Sequence, residues 1–312
     1  MAPRLPVELQ LQILELALPS PIRRNLDERV RLCKAFSLVH RTWTRTAQKQ
    51  LHRYVVIKRD IAASGNDEAV KRLEAKCAGA FPFENLVIAF EPFDESEPSE
   101  SPSYADYELG LRISSEDGEV QDIGSLGLQR LFILDLSDFG KEIRQLSSHH
   151  LPAQLRYLGL NSVLLAKGWE FKHFAQLETL IFDQVDYYTF CLPRWVSQLK
   201  SLPLRALCCK VFFPALDFRQ LANFAFLRHL ALVLSNWKCV PNGLIDESAL
   251  VLPSSLQTFT FCGTRGTTSK ADDDLLNSVC QQNGTKSLRQ EDAVGQEIFD
   301  WDPEEWAYSV GA

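Results

Sequence analysis

Six segments of this chain repeat one short apolar pattern, and that pattern limits the possible folds more than any other feature. They are Leu128-x-x-Leu131-x-Ile133, Leu155-x-x-Leu158-x-Leu160, Leu177-x-x-Leu180-x-Phe182, Leu204-x-x-Leu207-x-Cys209, Leu227-x-x-Leu230-x-Leu232 and Leu256-x-x-Phe259-x-Phe261. Their middle anchors are separated by 27, 22, 27, 23 and 29 residues. The last two anchors of each segment lie two apart, the spacing that puts side chains on one face of a β-strand. Each segment is therefore predicted to be a strand with those two anchors in the core. Intervening stretches such as 161–176 and 184–203 supply a helical or irregular return.

Phe83-x-x-Leu86-x-Ile88 reads as an earlier member, and Leu109 to Ile113 as a degraded one. Steps of this length match leucine-rich repeats, which run about 20–29 residues with a strand at each L-x-x-L-x-L. The expectation is a solenoid of about six to eight repeats whose strands line a concave face. An unrelated α/β domain with equally leucine-rich strands would give the same spacing.

The N-terminal residues follow a different period. Leu5-Pro6-x-Glu8-Leu9 resembles a helix start, because proline in a first turn is preset to helical φ and an acid there suits the helix dipole. Leu9, Ile13, Leu16 and Ala17 continue at helical spacing, and Pro19-Ser20-Pro21 ends the run. A second helix is predicted from about Asp27 to Val39. A third is marked by Val39, Trp43, Ala47 and Leu51, four apart on one face. Tyr54 to Ile57 then reads as a short strand.

The module of residues 1–58 resembles the F-box-like module of eukaryotic ubiquitin-ligase substrate receptors. The shared residues are Leu5-Pro6-x-Glu8-Leu9, Ile13-Leu14, Ser37-Leu38-Val39, Trp43, Ala47 and Leu51. The connection from Leu18 to Leu32 is longer and more basic than the family pattern. The resemblance implies a three-helix unit that docks on the Skp-type adaptor of a cullin–RING ligase, with Leu5, Pro6, Leu9, Ile13, Val39 and Trp43 in its core and adaptor face. It also implies that the repeats hold a protein substrate. The fold class expected is thus α/β, a small N-terminal helical F-box-like module followed by a short leucine-rich-repeat solenoid over 59–265.

Charge is unevenly spread. Residues 1–60 hold twelve basic and five acidic residues, a balance of +7. From Glu84 to Asp122 twelve acids face one base, Arg112, and 271–312 hold ten acids and two bases. A basic end suits nucleic acid or an acidic protein, but no aromatic platform accompanies it, which argues against nucleic acid. Residues 91–106, dense in Ser, Pro and acids, are predicted to form a disordered insertion, and 266–312 an acidic, largely disordered tail. The eight cysteines sit at irregular spacings, and no secretory or membrane-spanning run is visible. A reduced cytoplasmic or nuclear protein is expected. The Asn283-Gly-Thr sequon then has no role.

No catalytic constellation emerges, and neither enzyme activity, cofactor nor metal is expected. Gly263-Thr-Arg-Gly266-Thr-Thr-Ser-Lys270 places its lysine four residues past the second glycine, whereas a phosphate loop needs it directly after. His149-His150 lacks ligands at metal spacing. Asp272-Asp273-Asp274 reads as a solvated face or helix start. The residues between the buried anchors are instead predicted to form a partner-binding strip: Arg130, Phe132, Leu134, Tyr157, Asn161, Ile181, Asp183, Lys210 and His229. Phe132, Tyr157 and Ile181 would make its apolar patch. The function expected is non-catalytic recruitment of a target protein to a ubiquitin ligase. A ubiquitin-independent scaffold whose first helices only cap the array is the other reading.

Overall fold

A computed structural model describes residues 6–20, 25–60, 85–91, 112–114, 120–122, 128–135, 145–161, 163–165, 168–183, 192–211, 218–234, 251–263, 270–291 and 303–311. Three helices come first: α1 (Val7–Ala17), α2 (Leu26–Val39) and α3 (Arg41–Arg53). Pro6 caps α1 in an extended conformation, and its carbonyl accepts the Gln10 N–H at 3.1 Å. Leu18, Pro19 and Ser20 leave the helix, as the two prolines at 19 and 21 require. Strand β1 (Tyr54–Asp60) begins at the residue after α3 ends.

The strands that follow are β2 (Asn85–Glu91), β3 (Arg112–Ser114), β4 (Val120–Asp122), β5 (Arg130–Asp135), β6 (Gln145–Leu146), β7 (Tyr157–Asn161), β8 (Leu164–Leu165) and β9 (Thr179–Asp183). Helix α4 (Leu192–Leu199) leads to β10 (Ala206–Val211), β11 (His229–Leu234) and β12 (Thr258–Gly263). Helix α5 (Lys270–Gln282), β13 (Lys286–Glu291) and α6 (Pro303–Ser309) complete the described chain. Nine strands form one sheet in the order β1-β2-β5-β7-β9-β10-β11-β12-β13. Every pairing within it is parallel.

This architecture corrects the expected one. The molecule has an α/β fold built on a single all-parallel sheet, not a helical F-box-like module followed by a leucine-rich-repeat solenoid. Because α3 runs straight into β1, the boundary placed at residue 58 falls inside a strand, and no separate helical module is set off. The returns between strands are also unlike one another. A 3-10 turn (Ser148–His150) precedes β7 and another (Phe171–His173) precedes β9, whereas eight-residue α4 precedes β10 and thirteen-residue α5 precedes β13. Spacings of 22–29 residues measure the length of a crossover and leave its form open. The degraded repeat at Leu109 to Ile113 is corrected too, since among the described residues β3 pairs with β4 alone, and does so antiparallel. The presumed tail contains α5, β13 and α6. The acidic insertion lies, beyond Glu91, outside the described residues.

All six L-x-x-L-x-L segments fall on strands, and their anchors share one face. Leu131, Leu158, Leu180, Leu207, Leu230 and Phe259 stand in one row by register, and Ile133, Leu160, Phe182, Cys209 and Leu232 in another. Both rows belong to the main core with Trp169, Phe171, Phe174, Leu199, Leu221, Phe224, Leu276 and Cys280 from the crossovers. Burial of these thiols disfavours the thiolate, driving Cys209 far up and Cys280 to about 11.

The corner after α5 shows how the chain turns back to the sheet. Gly284 adopts φ +69°, the left-handed conformation a side chain resists. Its N–H bonds to the Gln281 carbonyl and the Thr285 N–H to the Cys280 carbonyl at 2.8 Å, closing the helix end. The Asn283 amide donates to the Pro253 carbonyl at 3.0 Å, and the Thr285 hydroxyl to the Leu256 carbonyl at 2.9 Å. Asn283 is therefore a structural tie across the corner.

Candidate protein-interaction surfaces

Helix α1 is apolar on two sides. Leu14 and Leu18 point into a small core with Cys33, against which Leu32, Phe36, Trp43 and Leu51 pack. Leu9, Ile13 and Leu16 recur at i, i+4 and i+7 and so share the other side. There they stay exposed, at 45%, 49% and 86%. Leu38 and Val39 at the end of α2 are also exposed, at 87% and 64%. Glu8, Gln12 and Glu15 are exposed among the apolar residues of α1, so its open side mixes apolar and polar side chains.

The expected adaptor residues divide accordingly. Pro6, Leu9, Ile13 and Val39 are exposed. Trp43 is half-buried: its indole N–H donates to Gln10 Oε1 at 3.2 Å, and its ring meets Phe36 edge-on at 5.8 Å. It ties α1 to α3. Arg29, almost fully buried, reinforces this packing by donating to the Pro19 carbonyl and, at 2.9 Å, to Gln50 Oε1. Leu5 lies outside the described residues.

The strip on the sheet requires a larger correction. Phe132, Tyr157 and Ile181 point away from the main core, as the alternation demands, yet all three are buried. They cannot serve as an open apolar patch. Parallel sheets are normally covered on both faces, and this one is covered here. Phe132 lies across Gly159 of the next strand; a methyl group on Gly159 would sit 2.7 Å from Phe132 Cε2 and closer still to Cδ2. The Arg130 guanidinium stacks 4.1 Å above the Tyr157 ring. Arg130, Asn161 and His229 are half-exposed. Leu134, Asp183 and Lys210 fall in β5, β9 and β10, with side chains outside the described residues.

His229 Nδ1 and the Thr258 hydroxyl are hydrogen-bonded at 2.9 Å between β11 and β12. Burial, with added repulsion from Arg228, holds the imidazole below its usual pKa. His149 and His150 lie in a 3-10 turn, where the His149 ring meets that of His173 at 5.8 Å. Among the described residues no group of three His, Cys, Asp or Glu is placed to hold a metal ion. Nor is any helix there long and apolar enough to cross a membrane. Asp272 to Asp274 fall early in α5.

One element on this second face, over β9 to β12, is one the strand pattern does not announce. Helix α6 packs against β9 and β10. Its Trp306 is buried, and the indole N–H donates to the Thr260 hydroxyl of β12 at 3.1 Å. Pro303, Glu304 and Ala307 are buried with it. A local cue does exist: proline followed by two acids is a favourable first turn, and it precedes Trp306 directly. No protein-family model matches this sequence, and no curated protein matches it.

Proposed function

We propose that this chain is a non-catalytic recruiting subunit of a cullin–RING ubiquitin ligase. Its first two helices dock on a Skp-type adaptor, and the remainder of the chain takes a target protein. The observation that carries this reading is the second apolar stripe of α1, Leu9, Ile13 and Leu16, which is exposed, as are Leu38 and Val39 at the end of α2. The resemblance of Leu5-Pro6-x-Glu8-Leu9 and Trp43 to ubiquitin-ligase substrate receptors names the occupant. Leu9 and Ile13 contribute on the order of 1.5–3 kcal/mol each when fully buried, enough for a pair of aspartates there to abolish docking.

Calorimetric titration of the full chain with a Skp-type adaptor tests this directly. Wild type is expected to bind, and Leu9→Asp with Ile13→Asp to lose binding while its melting temperature holds. A folded wild-type chain that binds no adaptor would leave the ubiquitin-independent scaffold as the better account.

A further inference from the structure

The residues just ahead of the central strands form a row of their own. Gln129, Arg156, Glu178, Arg205, Arg228 and Gln257 directly precede β5, β7, β9, β10, β11 and β12. From Gln129 to Arg228 each carbonyl of the row accepts two N–H groups from the next strand, at 2.7–3.0 Å. The backbone thus fixes the row, with neighbours about 4.8 Å apart. All but Glu178 are exposed.

Charge along the row begins to alternate. Glu178 Oε1 accepts from Arg156 Nη2 at 2.6 Å and from Nε at 3.2 Å, and its Oε2 lies 3.7 Å from Arg205 Nη1. One carboxylate is therefore shared by guanidinium groups from the strands on either side. The next position breaks the alternation, because Arg228 follows Arg205 and Gln257 beyond it is neutral. Among the described residues no acid pairs with Arg228. Its charge, second to burial, disfavours protonation of the adjoining His229. Two residues before Arg228, Phe226 is 58% exposed, while Leu227 between them is fully buried. Arginine and aromatic side chains are the types in which protein interfaces are enriched.

We propose that Arg205, Arg228 and Phe226 form a docking site for an acidic segment of the target protein. One of its carboxylates sits between the two guanidinium groups, as Glu178 does between Arg156 and Arg205, and an apolar neighbour lies on the Phe226 ring. The inference rests on the reading that the chain recruits a target, and adds the chemistry by which the target is held. Charge-assisted hydrogen bonds of this kind are roughly twice as strong as neutral ones. An exposed ion pair taken singly contributes little, which is why the ring belongs to the site. Glu178 beside Arg205 would repel a continuous run of phosphates, so the row suits separate carboxylates better than a nucleic-acid backbone.

The probe is a fluorescein-labelled twelve-residue peptide repeating Glu-Leu-Gly-Asp, which offers a carboxylate and an apolar side chain in several registers. It is titrated into the full-length protein at low salt, where surface charge is least screened. Wild type is expected to bind it, and Arg228→Gln and Arg205→Gln each to weaken binding at least ~5-fold, with a smaller loss for Phe226→Ala. A peptide with Gln and Asn in place of its acids should not bind. Arg31→Gln removes the same charge from α2, where the side chain is 76% exposed, and should leave binding nearly unchanged. No binding by the folded wild type, or equal losses in Arg228→Gln and Arg31→Gln, would overturn the proposal. Tighter binding of single-stranded oligothymidylate, lost in Arg228→Gln, would overturn it in favour of nucleic acid. Both arginines are exposed, so both variants are expected to melt with wild type, and either one carries the test. Adaptor binding is read on the same samples and depends on α1. Its absence bears on the ligase reading alone, and loss of peptide binding with the adaptor still bound bears on this site alone.

Discussion

The contact between Phe132 and Gly159 can be tested by a double-mutant cycle. Phe132 is 4% exposed, so its ring withdraws roughly 150–250 Å² from water. At about 25 cal/mol per Å² that is about 4–6 kcal/mol of gross burial, and truncation to alanine is expected to cost about 3–5 kcal/mol. Gly159→Ala works in the opposite sense. Its methyl group would meet Phe132 Cε2 at 2.7 Å, and forcing an aromatic ring aside in a packed region costs about 1–3 kcal/mol. With Phe132→Ala already present nothing opposes that methyl. It would fill part of the vacated space, and replacing glycine within a strand gains about 0.5–1 kcal/mol. The coupling energy should therefore reach about 1.5 kcal/mol or more, well within the range measured for contacting residues. Guanidinium unfolding of the four proteins at constant m gives the number. If Gly159→Ala costs the same with and without the ring, the ring does not lie over the glycine, and the covered face described above is wrong.

Two further outcomes follow from single positions. Gly284→Ala should destabilise the chain by roughly 1–2 kcal/mol through its left-handed backbone alone, because nothing lies within 4 Å of the added methyl. Gly168→Ala, also in open space but without positive φ, should be neutral or slightly stabilising in the same guanidinium titration. His229 should make stability fall with acid. Its folded pKa lies below the ordinary value near ~6.5, so the unfolded chain takes the proton first and stability declines from about that pH down to the folded pKa. Above that window the group contributes no pH dependence. Denaturation midpoints at neutral and mildly acidic pH should therefore diverge more for wild type than for His229→Gln, and equal losses would refute the assignment.

What the sequence made legible was local. Anchors two apart located six strands and told which side chains enter the core, because alternation is a property of the strand itself. The ends of α1, α2 and α3 were within a few residues of their cues, the prolines at 19 and 21 and the acids at 27 and 28. Alternation could not say what lies on the second face. Phe132 and Tyr157 have the chemistry of interface anchors and of buried residues alike, and only a covering element decides between them. Helix α6, which packs against β9 and β10, lies about a hundred residues further along the chain, beyond the reach of any periodicity. Likewise the spacing of 22–29 residues, which suited repeats, is equally the length of an α/β crossover.

The order of synthesis gives the position of α6 a meaning of its own. Strands β9 to β12 leave the ribosome before α6 exists, and chains begin to fold as they emerge. For that interval the row Ile181, Cys208, Ala231 and Thr260, buried in the finished protein, lies open to water. The second face of the sheet is thus the last to close, and a chain cut short before α6 is expected to keep that row exposed.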